Sequence, residues 1–265
     1  MLWILDLDGV VWLADRPIPG SAEAVRSLVT GGDRVAFTTN NAFLTRDAYV
    51  AKLATAGIDA DPDDVVSSAQ AAASLLHSGD IALTCAGPGI SEALSDYGVK
   101  EIPIRSGEDF PIERADAVVV GYHLDFGYQT LSAGARAIRE GARFIGTNAD
   151  PTYPTPNGLL AGTGALLAAF SVASGIRPTL AGKPYQPIVD LVRERFGIDG
   201  HECTVVGDRP STDGAFARRL GARFALVESG VTPRGSAPRD GEPRPDLVAA
   251  DLGDLVTTGG APPPA

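Results

Sequence analysis

Cysteine, histidine, lysine and long apolar runs are all scarce in this chain of 265 residues, and each scarcity excludes something. The two cysteines, Cys85 and Cys203, lie far apart in sequence, so neither a disulfide framework nor a cysteine-based zinc site is expected. No stretch approaches the roughly 18–20 uninterrupted apolar residues of a membrane span. Residues 1–6 lack the basic start and longer apolar region of a signal peptide, and the carboxylates Asp6 and Asp8 end the apolar run at once, so it reads as a strand and the expected location is cytoplasmic. Positive charge is also short. Lys and Arg total 22 against 33 Asp and Glu, and a net charge of −11 argues against nucleic acid as a partner, because binding it takes a basic surface to displace counterions. An anionic ligand would have to be held by local positive charge, such as a metal, backbone amides or a placed lysine. The lysines are only Lys52, Lys100 and Lys183, which makes each more informative.

What is present is ordinary globular composition, 44% apolar and 21% charged, in a length that suits one large or two modest domains. Residues 2–5 form a short apolar run that ends in Asp-Leu-Asp-Gly. Helical spacing follows at 21–30 and stops at Gly31-Gly32, and a second apolar run at 35–37 ends in Thr38-Thr39-Asn40-Asn41. A helix over about 46–56 completes a strand–helix–strand–helix pattern, the grammar of a helix-covered parallel sheet. The grammar restarts with strands at 81–86, 117–121 and 143–146 and helices at 90–97, 128–140 and 162–174. It resumes with a strand at 179–181, a helix at 187–196, a strand at 203–206, a helix near 212–220 and a strand at 224–227. Residues 231–245 read as a loop.

Ligands of open parallel sheets bind beyond the carboxyl ends of the strands. Those ends carry Asp6 and Asp8, then Thr39 and Asn40, then Lys183, then Asp208 with Asp213. Carboxylates brought to one edge repel one another unless a cation bridges them, and a set of oxygen ligands without histidine or cysteine suits Mg²⁺.

The segments Asp6-Leu7-Asp8-Gly9-Val10-Val11, Thr39-Asn40-Asn41, Gly182-Lys183-Pro184 and Gly207-Asp208-Arg209-Pro210-Ser211-Thr212-Asp213 resemble, in order, the four motifs of the haloacid dehalogenase superfamily of phosphohydrolases. Residues 147–164 resemble the cap loop of its NagD-like, nitrophenylphosphatase-like branch. The resemblance covers nearly the whole chain and implies an α/β fold with a doubly wound, Rossmann-like parallel-sheet core at 1–76 and 179–258. A smaller α/β cap would be inserted at 77–178, with a tail at 259–265. It further implies Asp6 as nucleophile and Asp8 as general acid and base. Mg²⁺ would be held by Asp6, the Asp8 carbonyl and Asp208, with Asp213 in support. Thr39, Lys183 and amides near Gly9 and Asn40 would hold the phosphoryl group, and Asn148 and Asp150 of the cap would read the substrate. The implied substrates are small phosphate monoesters, among them sugar, glycerol and glycolate phosphates, nucleoside monophosphates and pyridoxal phosphate. The resemblance leaves a homodimer open as an assembly. Pro210, Gly214 and Ala161 depart from the usual pattern.

Each motif has a structural counterpart reading. Asp-x-Asp-Gly is a common strand-to-loop transition, Thr-Asn-Asn a helix cap, and a lone lysine in a turn is usually solvated. Their joint order decides for chemistry. His77, His123 and His201 are scattered without ligand spacing, Trp3 reads as core, and Trp12 as core or entrance lining. Three rivals are weaker. A receiver-like phospho-acceptor module is about half this length and has no counterpart of Asp8. A halide-cleaving hydrolase on the same fold needs no metal acids, and a binding-only relative would not need the complete polar set.

Overall fold

A computed structural model describes residues 1–260 except 15, 105–113, 156–157, 200–201 and 237–238. His201, residues 261–265 of the expected tail and part of the loop 148–164 therefore lie outside the described residues.

Strand β1 (Leu2–Asp6) buries Leu2, Ile4 and Leu5. It is followed by a short antiparallel ribbon, β2 (Trp12–Leu13) and β3 (Arg16–Pro17). Helix α1 (Ser21–Thr30) buries Ala24, Val25 and Leu28, one face at helical spacing, and Gly32 just beyond it takes a positive φ that ends the turn. Next come β4 (Arg34–Thr39), α2 (Arg46–Thr55) and β5 (Val65–Ser67). Ser67 and Gln70 form a capping box that starts α3 (Ser68–Ala73). The strand–helix alternation continues through β6 (Ile81–Cys85), α4 (Pro88–Asp96), β7 (Lys100–Pro103), β8 (Ala117–Val120), α5 (Tyr128–Arg139) and β9 (Arg143–Gly146). A hairpin of β10 (Thr152–Thr155) and β11 (Gly158–Ala161) leads into α6 (Thr163–Ser174) and β12 (Thr179–Leu180). The chain closes with α7 (Gln186–Phe196), β13 (Cys203–Gly207), α8 (Ala215–Leu220), β14 (Arg223–Val227), β15 (Leu247–Ala249) and α9 (Leu252–Thr258).

Contacts divide the chain into two units, one of Met1–Thr39, Arg46–Val66 and Lys183–Ala265, the other of Asn40–Thr45 and Ser67–Gly182. The first holds a six-stranded sheet in the order β15-β14-β13-β1-β4-β5, in which β1 pairs in parallel with both β4 and β13. The strand order reverses about β1, which is the topological switch point of a doubly wound sheet. The second unit holds a parallel five-stranded sheet, β12-β9-β8-β6-β7. Its core joins Leu83, Val118, Val120, Ile138, Phe144 and Phe170.

These divisions fall elsewhere than at 76/77 and 178/179. Helix α3 packs on α4, and β12 pairs with β9 rather than with the first sheet, so both belong to the second unit. The six residues after β4 belong there as well, where Gly89 N donates to the Phe43 carbonyl. No helix among the described residues is long and apolar enough to cross a membrane.

Candidate active site

Strand β1 is apolar until its last residue, so hydrophobic burial carries Asp6 down with its neighbours; it is 8% exposed. The adjacent β13 ends in Gly207, and Asp208 and Asp213 just beyond are each 1% exposed. One oxygen from each of the three acids lies within 4.8 Å of the others. Lys183, 3% exposed, sits among them, its Nζ donating to Asp6 Oδ1 at 2.6 Å and to Asp213 Oδ1 at 2.7 Å. A longer bond of 3.4 Å reaches the Thr38 carbonyl.

Burial raises the Asp6 carboxyl well above the ordinary carboxylate range; Lys183 opposes that shift, and Asp213 and Asp208 add to it. Asp208 is pushed up to about 6, first by burial and then by Asp213. Burial alone would lower the Lys183 ammonium, but Asp213 and Asp6 outweigh it and the net shift is upward. Three carboxylates and one ammonium leave a formal charge of −2 in a buried space. A divalent cation would neutralise it, and the oxygen-only donor set suits Mg²⁺.

The Asp213 carboxylate is more committed than a supporting ligand requires. Oδ1 takes Lys183, and Oδ2 accepts from Arg209 N at 3.1 Å. Residues 210–214 form a π-type turn on the Arg209 carbonyl, with Pro210 at its first position, where a missing N–H costs nothing. Gly214 is needed because a Cβ there would lie 2.8 Å from the Phe224 ring. The two departures in the fourth motif thus belong to this turn's packing. Ala161, the departure in the cap loop, pairs with Thr152 in the hairpin.

Glycine makes the close approaches around the acids possible. A Cβ on Gly9, which has φ +91°, would fall 2.5 Å from Asp208 Oδ2, and one on Gly207 would fall 2.3 Å from Asp213 Cβ. The loop after β14 adds residues that the sequence reading did not single out. Val231 N donates to Asp208 Oδ2 at 2.6 Å, the Thr232 hydroxyl donates to the Asp208 carbonyl, and Ser229 Oγ donates to the Gly9 carbonyl at 2.6 Å. Gly230 permits this, since a Cβ there would collide with Asp208. The available signal was positional: Ser229-Gly230 follows a buried strand of the same sheet.

Asp8 is half-buried and turned differently. Its Oδ1 accepts from Trp12 Nε1 at 3.1 Å. Burial raises its carboxyl, while Lys52 and the Trp12 hydrogen bond oppose the shift. Thr39 is buried at the end of β4. Asn40, Asn148 and Asp150 lie together in the second unit. Asn148 Nδ2 donates to the Asn40 carbonyl at 2.7 Å and, at 3.3 Å each, to the Thr147 and Thr163 hydroxyls. Its Oδ1 accepts from Asp150 N, and Asn40 Nδ2 donates to Asp150 Oδ2 at 3.2 Å. These bonds commit the buried Asn148 amide to its own loop and to the Asn40 backbone.

Buried acids and a lysine thus meet at the switch point of a doubly wound sheet, the place where α/β enzymes of this architecture bind their ligands. The chain belongs to the haloacid dehalogenase-like hydrolases. That family matches residues 3–100, and a second, HAD-hydrolase-like description matches residues 180–255. A D-glycerol 3-phosphate phosphatase of Mycobacterium tuberculosis is 37% identical over 95% of this chain and 70% of its own length. A 5'-nucleotidase of Bacillus subtilis is 33% identical over 88% of each chain. The crystal structure of glycerol phosphate phosphatase from M. tuberculosis in complex with magnesium is similar with a TM-score of 0.85. It is 34% identical, with 96% of this chain and 75% of that one covered.

Proposed function

We propose that this protein is a Mg²⁺-dependent phosphatase of small phosphate monoesters that works through a phospho-aspartate on Asp6. The observation that carries the reading is the buried Asp6, Asp208 and Asp213 cluster around Lys183, with Asp8 two residues on from Asp6 and bonded to Trp12. Asp6 and Asp208, with the Asp8 carbonyl and Asp213 in support, would hold the metal. When bound, Mg²⁺ supplies charge neutralisation at the phosphoryl oxygens. An Asp6 oxygen attacks phosphorus and the bond to the leaving oxygen breaks, while Asp8 delivers a proton to that oxygen. Asp8 then takes a proton from water, whose oxygen attacks phosphorus, frees phosphate and restores Asp6. Lys183, Thr39 and the amides near Gly9 and Asn40 hold the phosphoryl oxygens as charge shifts among them.

Phosphate release from p-nitrophenyl phosphate should stop on chelation and return with Mg²⁺, with Ca²⁺ a poor substitute because its looser coordination misaligns the attack. Normal turnover after chelation would refute the mechanism. Stability should respond to the same ion in a pH-dependent way. Asp208 shifts from an ordinary 3.8 to about 6. Between those values the folded protein binds more protons than the unfolded chain, so the metal-free protein loses stability as pH rises through this window. Mg²⁺ relieves the repulsion of the ionised acids but competes with protons below it. The rise in Tm with Mg²⁺ should therefore be several degrees larger at pH 7.5 than at pH 5; equal shifts would count against metal binding by this cluster.

We further propose that the loop 148–164 selects the substrate, with the half-buried Asp150 accepting hydrogen bonds from a substrate hydroxyl or amine. Sugar and glycerol phosphates and nucleoside monophosphates offer such groups, whereas phosphoglycolate, with only a carboxylate beside its phosphate, does not. Asp150→Ala should then lower kcat/KM for the best natural substrate at least severalfold more than for p-nitrophenyl phosphate, as expected for a lost hydrogen bond of about 0.5–1.5 kcal/mol. Parallel losses on both substrates would show instead that Asp150 braces the loop through Asn40.

A further inference from the structure

Trp12 lies four residues beyond Asp8, and the fold brings Lys52, forty residues further on, over its ring. Trp12 is 2% exposed, and the Asp8–Trp12 segment is folded on itself, with Gly9 N donating to the Trp12 carbonyl at 2.7 Å. Lys52, on α2, places Nζ 4.4 Å from the centre of the Trp12 ring and donates to the Ala14 carbonyl at 3.2 Å. Ala14 is the one non-glycine residue with positive φ among the described residues, so this carbonyl is presented by an uncommon backbone conformation. Among the described residues, Trp12 is the one side chain that donates to the Asp8 carboxylate. No donor among the described residues reaches Oδ2.

A carboxyl group that shuttles a proton needs a fixed plane and one accessible oxygen. Anchoring Oδ1 on a rigid indole N–H gives the first and leaves Oδ2 for the second. The indole can serve as an anchor only if the ring cannot rotate. Burial restrains it on one side, and the ammonium on its π-face restrains and polarises it on the other. We infer that Trp12, clamped by Lys52, is a positioning residue that holds Asp8 by Oδ1 so that Oδ2 carries the proton to the leaving group and from the attacking water. The inference rests on the acid–base reading of Asp8 given above.

Its signature is a dependence on the leaving group. An alkoxide needs the proton as the P–O bond breaks, whereas p-nitrophenolate leaves well without it. Hydrolysis of the phospho-enzyme needs the base with either substrate. With Trp12→Phe, which keeps a ring under Lys52 but removes the N–H, turnover of glycerol 3-phosphate should fall about tenfold or more, the scale of a lost hydrogen bond to a charged group. The initial burst of p-nitrophenolate from p-nitrophenyl phosphate should keep its rate within about threefold while the steady state slows. Lys52→Gln should shift both measurements in the same direction by a smaller factor, and Lys52→Arg, which retains a cation over the ring, should stay near the parent. The Lys52 pair carries the test alone if Trp12→Phe does not fold, as judged by its thermal transition. Equal losses in the two first steps, no loss in either, or Lys52→Arg falling as far as Lys52→Gln would overturn the positioning role. Asp8→Asn provides the separate control. If it lacks the leaving-group asymmetry, the acid–base reading itself fails; if it shows the asymmetry and Trp12→Phe does not, only the positioning role fails.

Discussion

Asp6→Asn should reduce turnover of any phosphate monoester by 10⁴-fold or more, because an amide of the same shape cannot attack phosphorus and the covalent step disappears; this corresponds to roughly 5–6 kcal/mol of barrier. The same substitution should leave the metal-free protein at least as stable as the parent at pH 7.5. Asp6 is a buried carboxylate raised by its surroundings, so its ionised form is unfavourable in the fold, and the neutral amide removes one of three crowded negative charges. Opposite signs for activity and stability distinguish a nucleophile from a structural acid. The two measurements are phosphate release under saturating substrate and the thermal midpoint with chelator present. Activity within tenfold of the parent would sink the assignment.

Lys183→Met should damage both properties. The ammonium is the buried cation bonded to Asp6 and Asp213, at 2.6 and 2.7 Å, and methionine replaces it at similar length without charge. Asp6, Asp208 and Asp213 would then repel one another with no bonded cation between them, and breaking a buried ion pair by removing one partner typically costs about 3–5 kcal/mol. The deficit should follow pH with a defined sign. Loss of Lys183 removes an influence that holds Asp6 and Asp208 down, so their folded values rise further and the variant loses stability as pH climbs through them. At pH 5, where these acids protonate more readily, the gap in Tm to the parent should narrow. Mg²⁺ should restore part of the stability but little activity, because the phosphoryl oxygens would still lack their lysine. A variant with parental Tm at pH 7.5 and activity within tenfold would refute the role of Lys183.

The elements that were legible in the sequence are those whose apolar residues are regularly spaced or form an apolar run bounded by turn residues. Helix α1 and strand β9 fall where the pattern places them, at Ser21–Thr30 and Arg143–Gly146. The elements not anticipated are short or lack such a pattern. Strand β7 is Lys-Glu-Ile-Pro, with two of its four residues exposed, and the β10–β11 hairpin lies within a Pro- and Gly-rich stretch that reads as loop. Helix α3 is six residues, alanine or serine apart from Gln70 and all buried, and its all-round burial erases the one-sided pattern that marks a surface helix. Its placement in the second unit, with that of β12, moved the domain boundaries, because strand pairing and helix packing are long-range and leave no local mark on Thr179 or Ser68.

The kinds of group in the candidate site were legible for the opposite reason. Carboxylates, a lysine and a threonine at the ends of apolar strands conflict with local burial, and that conflict is visible residue by residue. The sequence by itself thus determined an α/β chain with Asp6, Asp8, Lys183, Asp208 and Asp213 delivered to strand ends. Only the tertiary structure decided that Lys183 lies between Asp6 and Asp213, that Asp8 turns to Trp12, and that backbone N–H groups such as Val231 N hold Asp208. A backbone donor carries no residue signature, and the direction of a buried charged side chain is set by the neighbours that relieve its desolvation. Those neighbours, 177 residues apart for Asp6 and Lys183, meet only when the sheet closes.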